Sequence, residues 1–464
     1  MTLHVPDDLP VEIVERPQVS PDSARGGSQL SQHWSSLGVK MGGSLGVQRD
    51  GGQLDVSRET GSSDLERVAW ALKHPIGRSV EAVAAELSHA SVCRTSEAKT
   101  TVAIAVSDST RPVPNDAILC PLLVHLEECG FRQSQIKIIV GCGKHRPLCE
   151  DEAKSLVGPG VLRDAQFVVH CANQSETTFL GTTSRGTPVN VNKDFSQADL
   201  RIVTGMIEPH QFAGFSGGGK GVVIGLGNES TISHNHSMLL QDGARIGVFE
   251  GNPVREDIEE GSRLVGVHFV VNVVLGPDKR ILRAFAGSYP EAYIEGVGFA
   301  RGVFSVPFRS LSDIVAVSCG GHPKDINLYQ AQKALAHVEP LVKPGGVIIL
   351  LAECAEGIGD EQFERWMREA RSPWDVAQRF REQGFHLGAH KAFLLARTML
   401  KAKIFLVSSL SDNLAEALGF EPYPSVNEAF RSALTRCRGT ATVSVVPQGT
   451  GMILVGGRRD TKTC

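Results

Sequence analysis

The sequence predicts an α/β protein made of two α/β domains with mostly parallel or mixed sheets. Three observations carry that prediction. The chain has 464 residues, beyond the size at which a single hydrophobic core usually stops growing. Between residues 100 and 215, a β-branched run leads three times into a polar loop. Such a repeat is what a mostly parallel sheet produces. Past residue 310 a second alternation of strand and helix patterns begins.

Composition narrows the class. The net charge is −4 with signs mixed along the chain, which offers no basic face for nucleic acid or an anionic membrane. The longest apolar runs, such as VHFVVNVVLG and VIILLA, are strand-sized and too short to cross a bilayer. The N-terminus MTLHVPDDLPVEIVE is acidic and lacks a basic stretch followed by an apolar one, so no signal peptide is expected. Ten cysteines are scattered without a C-x-x-C pair, and several, such as Cys120 and Cys319, sit in apolar runs. Reduced thiols of a cytoplasmic protein are the simplest account. Cys142 and Cys171 lie closer to candidate site residues, and buried inert thiols are expected there too.

Taken in order, residues 17–64 are rich in Ser and Gly and read as irregular. From Leu65 to Leu87 the apolar spacing predicts two helices, the first capped by Ser62 or Ser63, with Pro75 and Gly77 between them. TVAIAV is then a buried strand, SDSTRPVPN the loop after it, and DAILCPLLVHLEECG a helix ending at Gly130. The loop carries Asp108 and Arg111. A guanidinium there suits a carboxylate or phosphate, and Asp108 either orients it or takes a ribose hydroxyl. An ion pair that merely holds the loop is the alternative. IKIIV is the next strand, GCGKHRP a turn carrying His145, and CEDEAKSLVG a helix with acids in its first turn. LRIVTG leads in the same way to Glu208 and His210. Asp108, Arg111, His145 and His210 are thereby expected on one sheet edge, at the carboxyl ends of the strands, where open α/β sheets bind ligands.

The densest stretch runs from Gly205 to His236, GMIEPHQFAGFSGGGKGVVIGLGNESTISHNH. Its segment Gly214–Lys220 offers consecutive backbone N–H groups for an anion-binding nest, with the Lys220 amine at its end and a phosphate-bearing cofactor as guest. Walker A spacing is not met, because Gly221 follows the lysine in place of Ser or Thr, so an ordinary NTPase is disfavoured. Further on, His234 and His236 would share a face in a strand and diverge in a helix.

The domain boundary is expected near 300–315, giving a first domain of residues 1–310 and a smaller one of 311–435. In the second, DIVAVS, GGVIILLAE and KIFLVSS alternate with helices. LYQAQKAL places Tyr329 and Lys333 on one helix face with Gln330 beside them; a solvated lysine is the plain alternative. The stretch TATVSVVPQGTGMILV, within residues 440–457, is expected to return to the first domain, followed by a frayed tail.

EPHQFAGFSGGGK with His236 beyond it, DSTRP, GKHRP and PKDINLYQAQKA together resemble the lactate racemase family, from about residue 65 onward. The resemblance implies a nickel-pincer nucleotide covalently attached at Lys220 in a cleft between the domains, with nickel bound by His236 and His234 as a bystander. It also implies cofactor contacts from Asp108, Ser109, Thr110 and Arg111. Catalytic acid/base roles fall on His145 and His210, and substrate contacts on Arg111, Tyr329, Gln330 and Lys333, the last neutralising a carboxylate or developing alkoxide. Two departures stand out. GAHKAFLLAR occupies the place where lactate-active members carry a tryptophan, which puts His390 and Lys391 near the substrate and predicts a 2-hydroxy acid more polar or larger than lactate. Gly219 stands where an arginine is common, a change that touches cofactor contacts.

The implied function is a racemase or epimerase that inverts Cα of a 2-hydroxy acid by hydride transfer to and from the tethered cofactor, through a 2-keto acid. Hydride transfer avoids a carbanion beside a charged carboxylate, and two bases of near-neutral pKa on opposite sides would serve the hydroxyl. The implied partners are the small-molecule substrate and cofactor-biosynthesis enzymes; a homodimer stays open. Two other classes compete: a catalytically idle nucleotide- or metal-binding homologue, and a zinc hydrolase using His145, His210 and His236, since three histidines and a water suit Zn²⁺.

Overall fold

A computed structural model describes residues 9–16, 63–90, 100–158, 166–437 and 439–456. The expectations for residues 17–62 and for the tail beyond 456 lie outside the described residues. Two compact units emerge, one ending at Val303 and one running on from Phe304.

The N-terminal unit is built on a six-stranded sheet in the order Ile281–Ser288, Phe269–Leu275, Leu200–Met206, Val102–Ser107, Ile136–Gly141, Gln166–His170. The last five are mutually parallel, and Ile281–Ser288 adds an antiparallel edge. Val102–Val106 are buried throughout, as a strand covered on both faces must be. Register fixes the functional edge. Ser107 pairs with Gly141, and Ala105 with Val203, so the loops that follow these strands leave from the same side of the sheet. The helix Asp64–Lys73 begins at Ser63. Its Oγ accepts from Glu66 N at 3.3 Å while Ser63 N donates to Glu66 Oε2 at 2.9 Å, a reciprocal capping box. That helix and Asn115–Glu128 cover one sheet face through Val68, Leu72, Ile118, Leu122 and Leu126.

The C-terminal unit holds a second six-stranded, all-parallel sheet: Val11–Ile13, Val443–Val446, Ser312–Ser318, Val342–Leu351, Lys403–Val407, Glu421–Pro422. The expectation that residues 440–457 return to the first domain is corrected here. Val443–Val446 lies between Ile314–Val317 and Val11–Ile13, and Ile453–Gly456 pairs in parallel with Ser305–Phe308. Val11–Ile13, assigned by sequence to the first domain, is likewise an edge strand of this sheet. The physical reason is plain: a β-branched run states that it will be a buried strand, but nothing in it states which of two parallel sheets will accept it.

Candidate active site

Three loops meet at the carboxyl edge of the N-terminal sheet. In the first, Thr110 donates its hydroxyl to Asp108 Oδ1 at 2.6 Å and its backbone N–H at 3.2 Å, a local turn that aims the carboxylate. The other oxygen, Oδ2, lies 2.7 Å from His145 Nδ1 in the second loop. Burial works to raise the Asp108 carboxyl, but the hydrogen bond and charge of His145 and the Thr110 bonds together outweigh it and hold it below its ordinary value. With Asp108 ionised, His145 carries its proton on Nδ1 and presents the Nε2 lone pair outward. The His145 side chain is half exposed, and a cleft of ≈ 270 Å³ lined in part by Lys144, Asn173, Gln174 and Glu229 opens beside it. Ser109 and Thr110 are exposed. Arg111 reaches the third loop, where Nη1 donates to Glu208 Oε1 at 2.6 Å. Cys142 and Cys171 are buried thiols; burial pushes Cys142 up to about 11.

His210 follows in the third loop. Its Nδ1 accepts from Ala213 N at 3.2 Å, so the neutral ring carries its proton on Nε2. The two imidazoles are thus set in opposite tautomers, one acceptor and one donor. Phe212 stands edge-on to His210 at 4.7 Å and to His236 at 5.0 Å. Burial, then the charges of Lys220, Arg111, His236 and Arg255, push His210 well below its ordinary value. Lys220 behaves alike: burial first, then Arg111 and Arg255, lower its amine well below the usual range against the opposing pull of Asp108 and Glu208. A deprotonated lysine is a nucleophile and can be acylated.

The glycine loop corrects one expectation. Its N–H groups do not line up as an anion nest, because Gly218 N donates to Asn272 Oδ1 at 2.8 Å and Gly219 N to the Tyr289 hydroxyl at 3.3 Å. The glycines are there for close packing. A Cβ on Gly218 would sit 2.6 Å from the Tyr293 ring, and one on Gly219 would sit 1.8 Å from Ser262 Oγ. At Gly219 this packing leaves no room for a side chain.

His234 and His236 lie on the helix Glu229–Ser237 and diverge accordingly. His234 is exposed with Nε2 3.0 Å from Arg185 O, whereas His236 is 8% exposed. His236 Nδ1 lies 3.0 Å from Asn235 Oδ1. Asn235 is itself fixed by Nδ2 bonds to Asp257 Oδ2 at 2.8 Å and Val254 O at 3.1 Å.

Sequence reasoning missed the support beneath the loop. Arg255, fully buried, donates Nε to Ala213 O at 3.2 Å, Nη2 to Phe215 O and Nη1 to Glu259 Oε1 at 3.2 Å, and Tyr289 donates to Glu259 Oε2. Breaking such a pair by removing one partner costs about 3–5 kcal/mol, because it strands the other charge. No local signal marks these residues. A helix whose pattern requires Arg255 and Glu259 on its buried face was the one available hint.

In the C-terminal unit, Asn327 caps the helix Leu328–Val338. Lys333 Nζ donates to Gln330 Oε1 at 2.5 Å, and Lys391 Nζ lies 5.6 Å from the Tyr329 ring centroid. Tyr329, Gln330, Lys333 and Lys391 form one neighbourhood. His337 shares it: burial first, then the charges of Lys333, Lys391 and Lys324, lower its imidazole to about 4 against the pull of its bond to Met452 O. His390 is buried with its ring 5.2 Å from that of Phe385. The zinc-hydrolase alternative finds no support: among the described residues, His145, His210 and His236 do not gather into one ligand set.

Comparison with known proteins shows the family. Residues 52–247 match the lactate racemase N-terminal domain and residues 309–454 the lactate racemase C-terminal domain. A lactate racemase of Thermoanaerobacterium thermosaccharolyticum is 34% identical over 365 residues, covering 77% of this chain and 85% of that protein. One of Lactiplantibacillus plantarum is 33% identical over 367 residues, with the same coverages. The apoprotein structure of the former superposes with a TM-score of 0.76 at 32% identity, over 85% of this chain and 94% of that one. A Thermotoga maritima protein shares the fold, with a TM-score of 0.58 at 17% identity. The chain is an isomerase of the racemase class. It belongs to the lactate racemase family. Among the described residues no helix is long and apolar enough to cross a membrane.

Proposed function

We propose that this enzyme inverts the Cα centre of a 2-hydroxy acid with a nickel-pincer nucleotide tethered at Lys220. What supports the reading is the placement of Lys220 and His236: an amine whose basicity burial lowers well below the usual range, which favours its acylation, and a buried imidazole whose Nδ1 lies against Asn235 Oδ1. These residues fit the group. When bound, it would supply a soft, redox-capable centre for the Cα hydrogen as hydride. The chain's own residues handle everything else. His145 Nε2 takes the hydroxyl proton, and Asp108 holds the ring and stabilises the imidazolium. His210 is assigned the matching acid/base role at the hydroxyl for the opposite hand. Arg111, oriented by Glu208, and the cluster of Tyr329, Gln330, Lys333 and Lys391 supply charge for the carboxylate, with Ser109 and Thr110 on the nucleotide. The substrate is then an acid more polar or larger than lactate. His390 belongs to the same substrate assignment. The cytoplasm as its location is supported by the free thiols of the described cysteines.

The test is a rate comparison. His145→Ala and His210→Ala are each expected to lose on the order of 10²-fold or more in turnover, Asp108→Asn to act through His145, and Lys333→Ala to raise KM over a panel of 2-hydroxy acids. Near-wild-type rates in either histidine variant would remove its acid/base role. Best turnover of lactate in that panel would contradict the substrate class.

Metal analysis separates the neighbouring histidines. His236→Ala should lose nickel after expression with the cofactor-making enzymes, whereas His234→Ala should keep it. Equal losses would overturn the assignment.

A further inference from the structure

Outside the catalytic edge, one cluster has the chemistry of a metal site. We propose that Glu81, His125 and Cys129 bind a divalent transition-metal cation of the zinc type. His125 and Cys129 are four apart at the C-terminal end of the helix Asn115–Glu128 and so share a face. Glu81 comes from the first turn of the helix Val80–Ala90. One ligand atom from each of the three lies within 4.8 Å of the other two. Thiolate, imidazole and carboxylate are the donor set zinc takes, and two anions with one neutral ring balance its charge.

A second observation points to a ligand. The His125 side chain is only 9% exposed, yet neither ring nitrogen has a hydrogen-bond partner, an arrangement folded proteins rarely leave. Nε2 lies 3.6 Å from Glu81 Oε1, and Nδ1 lies 3.8 Å from Glu128 Oε2. Both are too long for hydrogen bonds. The first is close to the edge of a tetrahedral zinc site, about 3.4 Å for bonds of roughly 2.1 Å. The second places Glu128 where a carboxylate orients a metal-bound histidine through its other nitrogen. The scaffold is stiff: Cys129 N donates to His125 O at 3.0 Å, and Phe131 N to Leu126 O at 3.0 Å. A crossover helix runs back against its parallel strands, so this end sits at the sheet edge opposite the catalytic loops. The cation would staple the two helices and take no part in the reaction. In the metal-free chain, burial and then the Glu81 carboxylate push the Cys129 thiol up to about 12, so it is no reactive thiolate.

The test uses the full-length chain, stripped with chelator and titrated with Co²⁺. Saturable binding with a sulfur-to-cobalt charge-transfer band in the near ultraviolet is expected. The band should vanish in Cys129→Ser, and Glu81→Gln, a surface change that leaves folding alone, should weaken cobalt affinity on the order of 10–100-fold. Zn²⁺ should displace cobalt and raise the melting temperature of the chain by roughly 5 °C at a hundredfold excess over Kd, but not that of Cys129→Ser. The chain has ten cysteines, so it is the loss of the band in Cys129→Ser that assigns it to this site. Cobalt binding without the band, a band that survives Cys129→Ser, unchanged affinity in Glu81→Gln, or no binding at all would overturn the proposal.

Discussion

Lys220→Arg is expected to abolish the nucleotide mass adduct and turnover together, leaving only the uncatalysed background. The substitution keeps a long basic side chain but removes the amine nucleophile, since a guanidinium stays protonated. The surroundings of Lys220 already do the harder part. Burial and the neighbouring cations Arg111 and Arg255 lower its basicity well below the usual range, and the Arg255–Glu259–Tyr289 network fixes the glycine loop that leads to it. Intact-protein mass after co-expression with the cofactor-making enzymes, with a melting curve to confirm folding, reads the result. An adduct persisting on another lysine would show that the tether lies elsewhere.

Much of this centre was legible in sequence because its parts are local. A strand, a polar loop and a helix are contiguous, and their parallel pairing forces Asp108, His145 and His210 to one edge. The Asp108–His145 contact spans 37 positions, yet it follows from two adjacent parallel strands whose following loops carry the two residues. What stayed hidden is non-local. Arg255 supports the loop from a helix about forty residues on, Asp257 fixes Asn235 and through it His236, and Asn272 and Tyr289 consume the glycine N–H groups that the sequence offered to an anion. Consecutive glycines read equally well as a nest or as a close-packed corner, and only the neighbours decide. The same holds for Val443–Val446, whose pattern names a buried strand but not its sheet.

The central claim is that the histidines act on the oxygen while the Cα hydrogen never becomes a solvent proton. Its energetic logic is that a Cα proton beside a charged carboxylate is a weak acid, and hydride transfer avoids the carbanion. His145 is oriented by Asp108 and His210 by Ala213, two imidazoles proposed to serve a hydroxyl that must lose and regain its proton. A Cα-deuterated substrate should accordingly react more slowly where hydride transfer limits the rate, and should retain its label. The most direct measurement is inversion of unlabelled substrate in D₂O by the loaded enzyme, with Cα deuterium read by mass or NMR. The product should be almost free of Cα deuterium at full racemisation or epimerisation, whereas rapid deuterium uptake at Cα would mean a carbanion or enolate and would contradict the mechanism even in a protein that binds nickel.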